Sequence, residues 1–146
     1  MKTISYKGTI PVGEQDHIRL KTNTGKTGYK ITKFQILSNT PGIGHVEFIG
    51  QVTKTDQTGS ISATVDFTNS DLLAVAYYED NANAGDGGKD TIIFDNEKFN
   101  QDIFINITDA TGGTVACNYY IELETMPLSD LEATYMTLQS IRQITS

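Results

Sequence analysis

The chain has 146 residues, of which 38% are hydrophobic, so it is long enough for one domain with its own core and too short for two of ordinary size. Eighteen acidic residues against eleven basic ones give a net charge of −7, which disfavours binding to nucleic acid or to an anionic membrane. No stretch approaches the roughly 20 apolar residues of a membrane-spanning helix, and the N-terminus lacks the apolar run of a signal peptide. We therefore expect a soluble protein.

Three segments in the first forty residues have the pattern of β-strands. Residues 2–10 predict a short first strand that can lie at a sheet edge. Residues 17–22 predict a second strand, and the turn cluster NTGKTG that follows them predicts a hairpin. Residues 29–37 predict a third strand, in which the apolar phase slips by one residue. The slip indicates a β-bulge around Thr32 and Lys33, or a strand that changes its neighbours.

The middle of the chain predicts one hairpin and one buried strand. Residues 45–54 and 61–67 both alternate apolar and polar positions, with the turn DQTG between them, and we expect them to pair. Residues 71–78 are apolar on both faces, which is typical of a central strand covered on both sides. Residues 79–90 are polar and glycine-rich, and we expect them to form an exposed loop.

Residues 91–95 and 102–108 predict two further strands, and a long strand begins at Thr114. In the long strand every second position is apolar, so one face should be buried. These positions are Val115, Cys117, Tyr119, Ile121 and Leu123. Eight or nine short strands without helical crossovers predict a mainly β fold, an antiparallel two-sheet β-sandwich or jelly roll of about eight strands.

The hydrophobic period changes to about 3.6 after Met126 and Pro127, which predicts one C-terminal amphipathic helix. Ser129 and Glu132 have the spacing of a capping box. The helix carries one apolar stripe, which its own sandwich or another chain must cover. The stripe consists of Leu131, Tyr135, Leu138 and Ile141, with Ile144 near its end. We therefore divide the chain into a β-sandwich domain, residues 1–127, and a helix, residues 128–146, which docks on that domain or on a neighbouring chain.

The polar segment 79–90 is the best candidate for a metal site, because it contains four side chains with oxygen ligands of the kind that calcium binds. They are Asp80, Asn83, Asp86 and Asp90. Their spacing does not match a calcium-binding loop, because alanines occupy the third and fifth positions. An exposed connection between strands is the simpler interpretation, and no metal site is predicted.

Other reactive residues also favour structural interpretations. His17 and His45 have no second histidine or cysteine at ligand spacing, so both are expected on a sheet surface or in the core. Cys117 lies in the alternating strand and is expected to be a buried small hydrophobe. The glycosylation sequon at residues 106–108 falls within a predicted strand and is interpreted as accidental. No catalytic residue and no cofactor-binding residue is predicted.

The predicted functional surface is an interface. Tyr120, Glu122 and Glu124 share the polar face of the long strand, and an aromatic side chain flanked by charges is typical of an interface rim. The apolar stripe of the helix completes the predicted set, which is Tyr120, Glu122, Glu124, Leu131, Tyr135, Leu138 and Ile141.

Three runs near the C-terminus carry a resemblance to a known group of proteins: ACNYYIELE at residues 116–124, LSDLEAT at 128–134 and TLQSIR at 137–142. They resemble the ending of small virion structural proteins of tailed phages of marine bacteria. A weaker similarity in DIFINITDATGG extends the likeness, so that it lies mainly in residues 102–142. It identifies no individual functional residue.

The resemblance implies a non-enzymatic virion component, with capsid decoration or cementing as the first function to consider. Its partners would be the major capsid protein or other virion proteins, and the chain would form a homo-oligomer, often a trimer in decoration proteins. It would reside in the virion after synthesis in the bacterial cytoplasm.

Two alternatives to capsid decoration stay open. A head-fibre or tail receptor-binding module would place loops 40–44 and 79–90 at a host glycan or protein. A jelly-roll capsid subunit is the other, although the chain lacks a basic arm for packing nucleic acid. An enzyme ranks last.

Overall fold

The computed structural model describes residues 2–42, 44–81, 88–94 and 97–145. Eight β-strands form two antiparallel sheets, and one helix follows them. In chain order they are β1 (Lys2–Ile10), β2 (Gln15–Ile18), β3 (Thr27–Ser38), β4 (His45–Thr53), β5 (Leu72–Asn81), β6 (Gly88–Ile93), β7 (Ile103–Asp109), β8 (Cys117–Pro127) and α1 (Asp130–Thr145). The predicted mainly β, two-sheet fold with one C-terminal helix is confirmed.

The three-stranded sheet has the order β1-β8-β3, so the long strand β8 is its centre and β1 lies at its edge, as predicted. The predicted alternation of β8 is confirmed, because Cys117, Tyr119, Ile121 and Leu123 are all buried. The register between β3 and β8 shifts between Ile31 and Lys33, which confirms the predicted bulge.

The five-stranded sheet has the order β2-β7-β4-β5-β6. Three isoleucines at every second position of β7 are completely buried: Ile103, Ile105 and Ile107. β5 has a partner on both sides, and its first five residues are all buried, which confirms the prediction of a central strand. The inner faces of the two sheets enclose one core, in which Phe34 from β3 and Phe48 from β4 are the largest fully buried side chains.

The predicted hairpin between residues 45–54 and 61–67 is wrong. β4 pairs with β5 on one side and with β7 on the other, so no edge of it is left for residues 61–67. Those residues form no strand, and the side chain of Gln51 donates hydrogen bonds to the carbonyl oxygens of Ser62 (3.2 Å) and Thr64 (3.3 Å). The segment is therefore tied to a side chain of the sheet instead of extending the backbone ladder.

The second predicted strand and the predicted loop also differ in extent. β2 ends at Ile18 and pairs with β7, so it forms no hairpin with β3. The two ends of the polar segment 79–90 belong to β5 and β6, where Glu79 pairs with Gly88. Residues 82–87 lie outside the described part of the chain, and so do Asn83 and Asp86 of the calcium hypothesis.

Within the described residues, no helix is both long enough and apolar enough to cross a membrane.

Candidate functional site

The helix α1 begins at the capping box that the sequence predicts. The Ser129 hydroxyl accepts a hydrogen bond from the backbone N–H of Glu132 (3.2 Å), and the Glu132 carboxylate accepts one from the backbone N–H of Ser129 (3.3 Å). The ammonium group of Lys26 forms an ion pair with Asp130 in the first turn, with an N–O distance of 2.9 Å. The start of α1 is therefore joined to the turn that precedes β3.

One face of α1 docks on the sandwich around Asn100, whose side chain is only 1% exposed. The amide nitrogen of Asn100 donates to the carbonyl oxygen of Gly25 (2.9 Å), and to the hydroxyl oxygen of Thr137 (3.1 Å). Ala133, one turn before Thr137, is also buried. Leu128, just before the helix, is buried, and its backbone N–H donates to the carbonyl oxygen of Lys26 (2.8 Å).

The predicted apolar stripe lies mainly on the side of the helix that faces away from the sandwich. Each residue turns an α-helix by about 100°, so the stripe centres roughly 125° around the helix from the midpoint of Ala133 and Thr137. The exposed fractions of the stripe residues are 81% for Leu131, 65% for Tyr135, 53% for Leu138 and 53% for Ile141. The sequence leaves open whether the sandwich or another chain covers the stripe. The described part of the sandwich does not bury it.

The remaining predicted interface residues lie on the outer face of the three-stranded sheet. Tyr120, Glu122 and Glu124 form the central column of this face, and the Tyr120 hydroxyl donates to the Glu122 carboxylate (2.7 Å). This hydrogen bond raises the pKa of the Tyr120 hydroxyl above its ordinary value. Tyr120 lies seven residues before Pro127, or about 23 Å along the strand. The structure thus places the predicted residues on two separate surfaces.

A groove of about 840 Å³ opens beside Tyr120, a volume within the range of small-molecule sites. Its floor consists of two cross-strand rows on the outer face of the three-stranded sheet, with residues from β1, β8 and β3 in each row. One row is Lys7, Tyr120 and Gln35, and the other is Thr9, Asn118 and Leu37. The same three strands also contribute Gly8, Ile36 and Tyr119 to the lining, and β5 and β6 contribute Ala76, Tyr77, Lys89, Asp90 and Thr91.

Sequence reasoning missed this groove, although it identified Tyr120. The rows exist only because β8 pairs with β1 and β3 in one register, and those strands are far apart in the chain. Only the strand pairing, which aligns Lys7 and Gln35 with Tyr120, would have revealed the groove. Of the described residues in the two loops that the receptor-binding alternative invoked, the lining includes Lys89 and Asp90.

Three side chains of metal-ligand type come together on the five-stranded sheet: His45, Glu47 and Glu79, with ligand atoms all within 4.8 Å of one another. Glu47 and Glu79 are directly opposite on β4 and β5, and the Tyr77 hydroxyl donates to Glu79 (2.8 Å). Burial and this hydrogen bond raise the pKa of Tyr77 to about 12. Among the described residues, these three side chains could hold a divalent cation. Their proximity is the one observation that indicates such a site, and exposed acidic groups commonly lie together without an ion.

His45 therefore has ligand-type neighbours that its sequence context did not indicate. The other histidine, His17, stacks on Phe104 with ring centroids 4.5 Å apart and pairs with Asp102 at 2.7 Å. Burial alone would raise the pKa of Asp102, but hydrogen bonds from the Lys21 N–H, the His17 ring and the Leu20 N–H outweigh it and lower that pKa. His17 belongs to a structural network that joins the end of β2 to the start of β7.

The predicted burial of Cys117 is confirmed, because its side chain has no exposed surface. Burial raises the pKa of its thiol to about 12, which disfavours the reactive thiolate. Asp80 is one of the four residues of the calcium hypothesis. Its carboxylate accepts a hydrogen bond from the backbone N–H of Gly42 (2.6 Å), so one of its oxygens is already used within the protein.

Comparison with known proteins adds no family to these observations. The sequence matches no protein-family model and none of the curated proteins.

Proposed function

We propose that this protein is a non-enzymatic structural component of a phage virion, a capsid decoration protein that binds the capsid surface through the exposed face of α1. The observation that carries the proposal is the orientation of the helix. Asn100 and Ala133 lie at the docked face, while Leu131, Tyr135 and Leu138 project from the opposite one. The resemblance of residues 102–142 to virion proteins supports the same role.

The exposed face has the chemistry of a protein interface. Burying a Leu or a large aromatic side chain contributes roughly 1.5–3 kcal/mol, and aromatic residues are enriched where proteins meet. Tyr135 adds a hydroxyl at the rim of such a contact. Three large side chains 53–81% exposed on one short helix are a substantial amount of unburied apolar surface for a chain of this size.

The size of the face favours a larger partner over self-association through α1. A stable interface buries about 800 Å² on each partner, and a groove contacts the flanks of a helix of 16 residues as well as its exposed side, so it buries more of the helix than a second copy packed against that side. An amphipathic helix of this length binds well when it lies in a groove of a larger protein. The major capsid protein is the partner that the resemblance implies, and the expected homo-oligomer would then use other surfaces.

Addition of the purified protein to capsids that lack it tests the proposal. We expect saturable co-sedimentation with a fixed ratio to the capsid protein. No co-sedimentation under native conditions would contradict it. Analytical ultracentrifugation of the protein alone measures whether it is the expected homotrimer.

The second candidate is a head-fibre or tail module that recognises a host glycan or protein. The groove beside Tyr120 is the observation that favours it, because a groove on a rigid sheet is suited to a small ligand. Binding of the isolated protein to host cells, with no binding to capsids, would favour this candidate over decoration.

A further inference from the structure

The backbone at the centre of the groove floor is not available to a ligand. β8 is paired on both sides, by β1 and by β3, so its N–H and C=O groups are already used in the ladder at Asn118 and Tyr120. A peptide strand could not add to β8 as it adds to a sheet edge, although β1 and β3 are the edges of this sheet. At the centre of the floor, recognition therefore comes from the side chains.

Those side chains are mainly hydrogen-bond donors. Thr9 donates its hydroxyl to the side-chain oxygen of Asn118 (2.5 Å), so this oxygen is occupied and the Asn118 amide nitrogen remains to donate. Among the described residues, no hydrogen bond to a side chain engages Gln35. Among the described lining residues Asp90 is the only carboxylate, and one of its oxygens accepts from the Thr91 N–H (2.9 Å).

Two lysines give the groove a positive charge in an acidic protein. Lys7 belongs to β1 and Lys89 to β6, and both line the groove. Within the described residues, neither lysine forms an ion pair with a carboxylate of the chain. The overall charge of −7 makes this local excess of positive charge distinct from the rest of the surface.

The floor also offers apolar surface between the donors. Tyr120 lies between Lys7 and Gln35, and Leu37, beside Asn118, is exposed over about half of its surface. An aromatic ring and an aliphatic side chain can contact the C–H face of a sugar ring, while the surrounding donors bind its oxygen atoms.

From these observations we infer that the groove binds an acidic oligosaccharide, with carboxylate groups at Lys7 and Lys89 and a sugar ring on Tyr120. The amides of Asn118 and Gln35 bind its hydroxyl groups. This site is separate from the exposed face of α1, so it can be present whether or not the protein decorates a capsid.

Isothermal titration calorimetry with an oligogalacturonate tests the inference, with a neutral oligosaccharide of the same length and oligoglutamate as comparison ligands. We expect saturable binding of the uronate, weakened by salt, and much weaker binding of the other two. The double variant Lys7→Gln/Lys89→Gln should weaken binding about tenfold, because each exposed ion pair contributes up to ~1 kcal/mol.

Lys21→Gln is the matched control, since Lys21 is also exposed but does not line the groove, and it should leave the affinity unchanged. Circular dichroism should show that all variants fold, since the three lysines are on the surface. Three results would overturn the inference: no saturable uronate binding, equal binding of the neutral sugar or of oligoglutamate, or equal effects of the double variant and the control. The double variant should bind capsids like the wild type. A failure of the oligosaccharide inference is therefore distinguishable from a failure of the decoration proposal.

Discussion

Asn100 donates a hydrogen bond from its buried amide nitrogen to the hydroxyl oxygen of Thr137, over 3.1 Å, and this contact determines which face of α1 meets the sandwich. The same nitrogen also donates to the carbonyl oxygen of Gly25, so one side chain joins the helix to the turn before β3. With this side of α1 occupied, Leu131, Tyr135 and Leu138 necessarily face outward.

Substitution of Asn100 should therefore loosen the helix. We expect Asn100→Ala to lower the free energy of unfolding by about 2 kcal/mol, because it leaves buried partners unsatisfied and creates a small cavity. Thr137→Ala removes only one acceptor and should cost about half as much. Urea denaturation measures both values, and amide hydrogen exchange should show faster exchange in α1. An Asn100→Ala variant as stable as the wild type would contradict an anchoring role.

Stability should fall in acid partly because of Asp102. The folded state holds the pKa of this carboxyl below its ordinary value of 3.8, so the charged form stabilises the fold. The contribution is fully present above the unfolded-state pKa and is lost as pH falls through the lower, folded-state pKa. Urea unfolding at a series of acidic pH values should show this loss in the wild type and a smaller one in Asp102→Asn. Parallel curves for the two proteins would exclude Asp102 as a source of the pH dependence.

Cys117 should react slowly in the native protein. A thiol pKa of about 12 instead of 9.0 reduces the thiolate fraction at neutral pH about a thousandfold, and burial blocks access as well. Absorbance with an aromatic disulfide reagent measures the rate. We expect slow labelling in buffer and fast labelling in urea, and rapid labelling of the folded protein would show that β8 is more open than the structure indicates.

Local patterns predicted the elements that depend on local physics. The alternation of β8, the bulge in β3 and the capping box of α1 are each encoded within about ten residues, and each is confirmed. The pairing of strands was harder, because alternation shows that a segment can be a strand and does not say which partner it has.

Residues 61–67 illustrate that limit. They alternate like a strand, but Asp66 accepts hydrogen bonds from the backbone N–H and the hydroxyl of Thr68 (2.9 and 2.6 Å), a local turn that competes with a ladder. β4 already has two partners, and neither fact is visible from the alternation. The groove and the group of His45, Glu47 and Glu79 were missed for the same reason, because each depends on residues from different strands.

The orientation of the apolar stripe could be predicted only in part from the sequence. The sequence predicted that one face of α1 is apolar but left open what covers it. Asn100 is distant in the chain, and its local sequence pattern does not distinguish it. Its hydrogen bonds to α1 hold the polar face of the helix against the sandwich and leave the stripe exposed.

The binding of α1 to the capsid is tested most directly by the triple variant Leu131→Gln/Tyr135→Gln/Leu138→Gln. These side chains are exposed, so the variant should fold with the stability of the wild type. The control is Ile92→Gln, which makes the same kind of change at an exposed apolar residue of β6. The measurement is the ratio of bound protein to capsid protein after co-sedimentation with capsids that lack it. We expect saturation for the wild type and the control, and loss of binding for the triple variant. A folded triple variant that saturates the capsids like the wild type would contradict the proposal.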